Sequence, residues 1–257
     1  MLVRITKFII ARVSTLLGTP ETMEGVSKQE IRLIQRVKRK HLTYLTNERL
    51  THIAKTSKQI EAQGIEGMFI EAGCALGGSA ILISVLKNKM RDFRVYDVFG
   101  MIPPPTEKDP EEVHKRYQTI SAGKSGGIGG DKYYGYEDNL YAKVYANFQS
   151  FGIEPELSNI QLIKGLLQDT MAIDAPVAFA HIDVDWYEPV KVSLERIFPY
   201  LSAGGCIVLD DYHDWGGCKK ATDEFLATVP GQFILSDDRD GSVSIVKTMK
   251  IISNLKS

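Results

Sequence analysis

Cysteine is scarce in this chain. Cys74, Cys206 and Cys218 are the only three in 257 residues, and no two of them form a CxxC pair or stand at zinc-ligand spacing. A disulfide framework and a cysteine-built metal centre are thereby excluded. The sparse, odd set of thiols fits a reducing compartment, so a cytoplasmic location is expected. A surplus of positive charge is missing too. Thirty-one Lys and Arg stand against 32 Asp and Glu, a net charge of -1. With no long basic run either, the chain lacks the electrostatic footprint of a nucleic-acid-binding protein. Long apolar runs are also absent. The stretch MLVRITKFIIARVSTLLGTP is broken by Arg4, Lys7 and Arg12, which leaves it too short and too charged to span a bilayer, and Arg12 interrupts the apolar core a signal peptide needs. Within it Ile5, Phe8, Ile9, Val13, Leu16 and Leu17 recur at helical spacing. That spacing predicts an amphipathic helix, packed on the domain or a partner subunit, or resting on a membrane surface. The nucleotide fingerprints fail as well. No GxGxxG occurs, and the GKS at 123–125 has Gln118 where a P-loop requires glycine. We read it as lid backbone, with Lys124 as its ligand-facing candidate.

What is present is a regular alternation. Residues 25 to 62 read as helical and carry no catalytic motif, a lid or dimer element. From Met68 short apolar runs alternate with helical patterns. Strands are expected over 68–73, 93–99, 159–165, 177–185 and 205–211, with helices over 79–90, 189–201 and 217–229. Continuous apolar strands between helices imply a parallel sheet covered on both faces. Two further strands, 232–237 and 242–248, flank the turn DDRDG too tightly for a parallel crossover, so they pair as an antiparallel hairpin. The expectation is an α/β fold with a mostly parallel seven-stranded sheet, a closing antiparallel hairpin and an N-terminal helical extension. This is the Rossmann-like organisation of class I methyltransferases. The chain divides into a helical extension, 1–64, and a catalytic domain, 65–257. Between strands two and three lies a long insertion, 100–158, whose tyrosines Tyr133, Tyr134 and Tyr136 point to a lid that folds over something.

Chemistry concentrates at strand ends. In EAGCALGGSA (71–80), Glu71 ends a strand and Gly73, Gly77 and Gly78 lead into a helix. Glycines there let the backbone approach a ligand, and the pattern fits an S-adenosylmethionine loop of the form E/DxGxxxGG. Asp97 ends the second strand, where an acidic group accepts hydrogen bonds from ribose hydroxyls. HIDVDWYE (181–188) and LDDYHDW (209–215) each follow an apolar strand, and 210 − 183 = 27 residues, one strand-helix-strand unit, separate their first acids. Three carboxylates brought together, Asp183, Asp210 and Asp211, repel one another unless a divalent cation neutralises them. All-oxygen ligation suits Mg²⁺ or another hard cation rather than zinc. Asp183, Asp185 and His213 are the candidate proton acceptors. An alternative reading takes Asp183-Val184-Asp185 as the DxD triplet of a metal-dependent glycosyltransferase.

FIEAGCALGGSA, YDVFGMIPPP, IQLIKGLLQDT, AHIDVDWYEPVKVSLERIFPYLSAGG and IVLDDYHDWGGCKKATDEF, spread over residues 65 to 248, together resemble the macrocin O-methyltransferase family. The resemblance implies an S-adenosylmethionine- and Mg²⁺-dependent O-methyltransferase acting on a sugar hydroxyl of a glycosylated natural product or polysaccharide, often a homo-oligomer. By motif position it implies Asp183, Asp210 and Asp211 as metal ligands, and Glu71, Gly73, Gly77, Ser79, Asp97, Gly165 and Asp183 on the cofactor side. Cys74-Ala75 and VYDVFGM depart from the family's usual residues in the cofactor loops. The loop 106–139 is longer than in typical antibiotic-tailoring members, and that bears on the acceptor.

Overall fold

The computed structural model describes residues 25–248 apart from 239. The amphipathic segment at 5–17 lies outside the described residues.

Two helices come first, α1 (Lys28–Arg39) and α2 (Asn47–Ala62). Ser27 caps α1 through a reciprocal box with Glu30, and the Thr46 side chain caps α2, satisfying amides that would otherwise lack partners. The sheet follows: β1 (Met68–Ala72), β2 (Phe93–Asp97), β3 (Ile160–Lys164), β4 (Val177–Ile182), β5 (Leu201–Leu209), β6 (Phe233–Asp237) and β7 (Val243–Lys247). Every residue of β1 and β4 is buried, as expected of strands covered on both faces. The connecting helices are α3 (Gly78–Leu86), α6 (Leu167–Thr170), α7 (Tyr187–Ile197) and α8 (Gly216–Thr228).

Strand order is β3-β2-β1-β4-β5-β7-β6, with β7 antiparallel to both of its neighbours. The seven strands and the closing hairpin are those read from the sequence. The chain winds from β1 outward to β3, then crosses back to β4 and outward the other way. A crevice therefore opens at the carboxyl ends of β1 and β4, where ligands bind in open α/β sheets. One core lies on one face of the sheet and joins Ile34, Leu50 and Ile53 of α1 and α2 to Phe69, Ile81 and Phe179. A second, on the other face, gathers Ile70, Ile182, Tyr187, Leu194 and Ile207.

The insertion after β2 is less irregular than its composition suggests. It contains α4 (Glu111–Ser121) and α5 (Leu140–Gln149). Leu140, Val144 and Phe148 of α5 are buried in the first core. Asn139 supplies the α5 cap. Glycine and charge in the preceding loop conceal the short apolar period of α5 from a reading by composition.

Candidate active site

The sheet's own hydrogen bonds carry the site residues to the crevice. The ladder continues one step past each strand: Gly73 N–H donates to the Tyr96 carbonyl (2.8 Å), Asp183 N–H to that of Ala72 (2.9 Å) and Asp210 N–H to that of Ile182 (3.0 Å). Asp183 and Asp210 thus leave adjacent parallel strands in register. Gly73 has φ +83°, and a Cβ on it would lie 1.9 Å from the Asp183 carbonyl oxygen. Only glycine permits β1 and β4 to approach this closely.

One carboxylate oxygen each from Asp183, Asp185 and Asp211 lie within 4.8 Å of one another. Asp185 sits at φ +56°, a left-handed conformation uncommon for a residue with a side chain. Its own N–H donates to Asp211 Oδ2 at 3.1 Å, so the turn and the acid cluster fix each other. Asp210 belongs to the same cavity, but Arg49 Nη1 holds its Oδ2 at 2.7 Å, while its Oδ1 is buried with no partner. Arg49 Nη2 also holds Asp214 Oδ2 at 2.7 Å. Of the trio expected from sequence, Asp183 and Asp211 are among the converging oxygens, and Asp210 lines the same cavity with one oxygen held by Arg49 and one free. Asp185 takes the third place, and Asp210 stands beside it.

Crowding sets the electrostatics. Burial, then the neighbouring Asp210, pushes the Asp183 carboxyl well above the ordinary range, and burial with Asp185 does the same to Asp211. Burial and Asp210 push Asp185 up to about 6. Burial raises Asp210 too, against the pull of His181 and Arg49. Four carboxylates that resist joint ionisation, presented as an all-oxygen donor set with one orphaned buried oxygen, fit a hard divalent cation. Beneath them Glu71 and His181 form a fully buried pair at 3.0 Å, with Glu71 Oε2 and His181 Nε2 left without partners. Burial alone would lower the His181 pKa, but the Glu71 hydrogen bond and charge raise it.

A cavity of about 330 Å³ opens over this cluster, and a second of about 150 Å³ adjoins it through shared walls at Gly73, Asp97, Asp183, Asp185 and Trp186. The first takes in Ser79 and the second Gly165. Gly77, at φ +86°, opens α3, and Glu71 is fully buried against His181; neither lines either cavity. Asp97 does more than line the wall. Its Oδ2 accepts from the Cys74 and Ala75 amides (2.8 and 3.1 Å) and its Oδ1 from the Phe99 amide (2.7 Å), so it also shapes the glycine loop.

His213, the second-choice base from sequence, lines neither cavity. It is exposed and its Nε2 pairs with Asp237 Oδ1 at 2.9 Å. Lys124 is exposed and lines neither cavity. Tyr133 and Tyr134 do fold over the site. Sequence reasoning missed Arg49, Arg116, Tyr44, Trp186 and Trp215, all of which line the main cavity. Trp186 sits against Trp215 edge-on at 5.5 Å and donates to the Pro103 carbonyl at 3.0 Å, which ties the start of the insertion to the acid turn. Adjacency to the Asp clusters marks the two tryptophans in the sequence. Nothing in the sequence alone marks Arg49.

Residues 22–230 match the family model described as Macrocin-O-methyltransferase (TylF). The chain is 26% identical over 212 residues to demethyldecarbamoylnovobiocin O-methyltransferase of Streptomyces niveus, spanning 77% of this chain and 73% of that protein. It is 27% identical over 172 residues to 8-demethyl-8-(2,3-dimethoxy-alpha-L-rhamnosyl)-tetracenomycin-C 4'-O-methyltransferase of Streptomyces olivaceus, spanning 64% and 60%. Among solved structures, the O-methyltransferase NovP matches with a TM-score of 0.65 at 24% identity, over 78% of this chain and 80% of that one. A calicheamicin methyltransferase matches with a TM-score of 0.54 at 17% identity, over 86% and 93%. At these identities the structural likeness speaks to the shared class I methyltransferase fold.

Proposed function

Because the chain belongs to the macrocin-O-methyltransferase family and is an S-adenosylmethionine-dependent O-methyltransferase by family and fold, we propose that it methylates a sugar hydroxyl of a glycosylated natural product or a polysaccharide, and that it does so with a bound Mg²⁺. The observation that carries this reading is the convergence of Asp183, Asp185 and Asp211 directly beside the glycine-lined crevice of β1. The Streptomyces olivaceus relative is named for 4'-O-methyl transfer to a rhamnosyl-bearing tetracenomycin, which supports the acceptor class. The glycosyltransferase reading loses its basis, since Asp183 and Asp185 belong to one acid cluster with Asp211 in a methyltransferase family.

The cofactor side consists of Gly73, Ser79 and Asp97 in the main cavity and Gly165 in the adjoining one, with Gly77 opening α3 and Glu71 beneath. S-adenosylmethionine supplies an electrophilic methyl group on a sulfonium. Asp183 and Asp211 of the converging trio would hold the cation, with the partnerless Oδ1 of Asp210 in the same cavity as a further donor, and the cation would supply a Lewis acid that makes a hydroxyl more acidic. Asp185 is then the general base. Its carboxyl oxygen lies with those of Asp183 and Asp211 at the wall of the chamber, within reach of a hydroxyl presented there. Trp186, Trp215 and the tyrosines of the insertion close the chamber and keep water from the reacting oxygen.

The test is direct. The purified protein is incubated with S-adenosylmethionine and a panel of sugar acceptors, with Mg²⁺ or with chelator. Methyl transfer that stops in chelator, while the thermal shift from S-adenosylhomocysteine persists, is the expected result. Full turnover in chelator would remove the metal from the proposal.

A further inference from the structure

Half-buried guanidinium groups in this protein have evident partners. Arg49, Arg91 and Arg94 pair with carboxylates, and Arg196 donates to three backbone carbonyls. Arg116, on α4 of the insertion, differs. It lines the main cavity, and its side chain donates to Ser125 Oγ at 3.0 Å. Among the described residues no carboxylate pairs with it. A guanidinium is always charged and offers five donors in a rigid fork, so Arg116, whose charge reaches Asp185 but which spends a donor only on Ser125, keeps most of its fork free for a ligand of the chamber.

The group is also held in place. Ser125 N–H donates to the Tyr136 hydroxyl, which in turn donates to the Ile120 carbonyl one turn along α4 from Arg116. Beside it stand Tyr44, Tyr133 and Tyr134, with the Tyr133 and Tyr134 rings 4.4 Å apart and the Tyr44 and Tyr134 rings 6.1 Å apart. Burial pushes the Tyr133 hydroxyl up to about 12 and that of Tyr134 well above its ordinary value. Both stay protonated, and with the Tyr134 hydroxyl donating to that of Tyr133, the Tyr133 hydroxyl keeps its own proton to donate. The other cation of the chamber, Arg49, is already committed to Asp210 and Asp214. The cavity therefore carries both an acid cluster and a donor-rich wall, and the Arg116 of that wall lies within Coulombic reach of Asp185 but in no ion pair with a carboxylate among the described residues.

Building on the sugar-methylating reading above, we infer that the acceptor sugar carries an anionic substituent, a carboxylate or a phosphate ester, which Arg116 and the tyrosine wall bind while the acceptor hydroxyl faces the acid cluster. The acid cluster repels that anion, so the same charge pattern sets which way round the sugar lies. The insertion supplies the discriminating group and the strand ends supply the chemistry.

The experiment compares matched methyl glycosides in neutral, uronate and 6-phosphate forms, with Mg²⁺ and S-adenosylmethionine, for the wild type and for Arg116→Gln and Arg116→Lys. An ion pair with the substituent gives the anionic forms an advantage of about tenfold or more in kcat/KM. Arg116→Gln should bring anionic and neutral forms to near parity, Arg116→Lys should keep part of the preference, and the thermal shift from S-adenosylhomocysteine should be unchanged in both. The uronate and phosphate arms separate the two sources of charge. Equal transfer to neutral and anionic forms by the wild type, a preference that survives Arg116→Gln, or a loss confined to S-adenosylhomocysteine binding would each overturn the inference and leave the sugar reading intact. Transfer to no sugar of the panel would instead count against the sugar reading itself.

Discussion

Arg49 and Asp210 are joined at 2.7 Å across 161 residues of sequence, and the pair links the first turn of α2 to the end of β5. The Arg49 side chain is 13% exposed and that of Asp210 3%. The same guanidinium holds Asp214 and donates from Nε to the Asp240 carbonyl at 3.3 Å. One side chain thus ties the N-terminal helices, the acid cluster and the β6–β7 turn together. Removing it strands a buried carboxylate. Arg49→Ala should cost about 3 kcal/mol of stability, read from urea unfolding in chelator. Mg²⁺ should restore part of that loss by neutralising Asp210. An unchanged unfolding midpoint would show the pair to be energetically idle.

Gly73→Ala tests the close approach of β1 and β4. Its methyl group would collide with the Asp183 carbonyl and displace the end of β4. A shift near 1 Å in a catalytic group lowers the rate by about a hundredfold. The variant should fold, since the displacement is confined to the segments just past β1 and β4, and should lose most activity together with most of the S-adenosylhomocysteine thermal shift. Near-normal activity would mean that the loop tolerates repositioning.

Asp185→Asn separates the base from the metal ligands. The variant should lower kcat by about 10²- to 10⁴-fold while keeping the thermal shift given by Mg²⁺. Asp183→Asn and Asp211→Asn should lose both. If Asp185→Asn also abolishes the Mg²⁺ shift, Asp185 is a ligand and the base lies elsewhere.

Stability in the absence of metal should run opposite to the usual trend for carboxylates. Asp185 has a folded pKa of about 6 against an ordinary value of 3.8, so the folded state binds its proton more tightly than the unfolded state. A raised folded pKa gives a stabilising contribution that is complete below about 4 and is lost as pH rises through about 6. Asp183 and Asp211 are also raised and act in the same direction. With chelator, the melting temperature should therefore fall between pH 4 and 6.5 by more in the wild type than in Asp185→Asn. Saturating Mg²⁺ should remove the difference.

His213→Ala should change little. The His213–Asp237 pair is exposed, and such pairs contribute under about 1 kcal/mol. Activity within threefold of wild type is expected, and a hundredfold loss would return His213 to the list of bases.

The strands were legible in the sequence because burial on both faces leaves an apolar signature: MFIEA and VAFAHI are read without ambiguity. The acids at their ends were legible for the same reason, since a carboxylate directly after a buried run stands out. The grouping within the cluster was not. Which of Asp183, Asp185, Asp210 and Asp211 converge depends on a left-handed turn at Asp185 and on an arginine 161 residues from Asp210, and neither leaves a local pattern. His213 misled because adjacency in sequence was read as adjacency in space. Past Asp211 the chain turns into α8, and this carries His213 out toward β6. The insertion was half legible. Its tyrosines announced a cover, while α5 lay concealed by the glycines and charges around it.

Both ends of that insertion are fastened: Pro103 to Trp186 at the start, and α5 to the core at the finish. The intervening stretch, roughly 104 to 139, bears Arg116, Tyr133 and Tyr134 and is pinned along its length too, the Tyr187 amide donating to Asp109 and His41 pairing with Asp131, each at 2.8 Å. The cover of the chamber is thus a braced wall rather than a swinging flap, and substitutions at its cavity-lining positions leave the strand-end acids beneath in place.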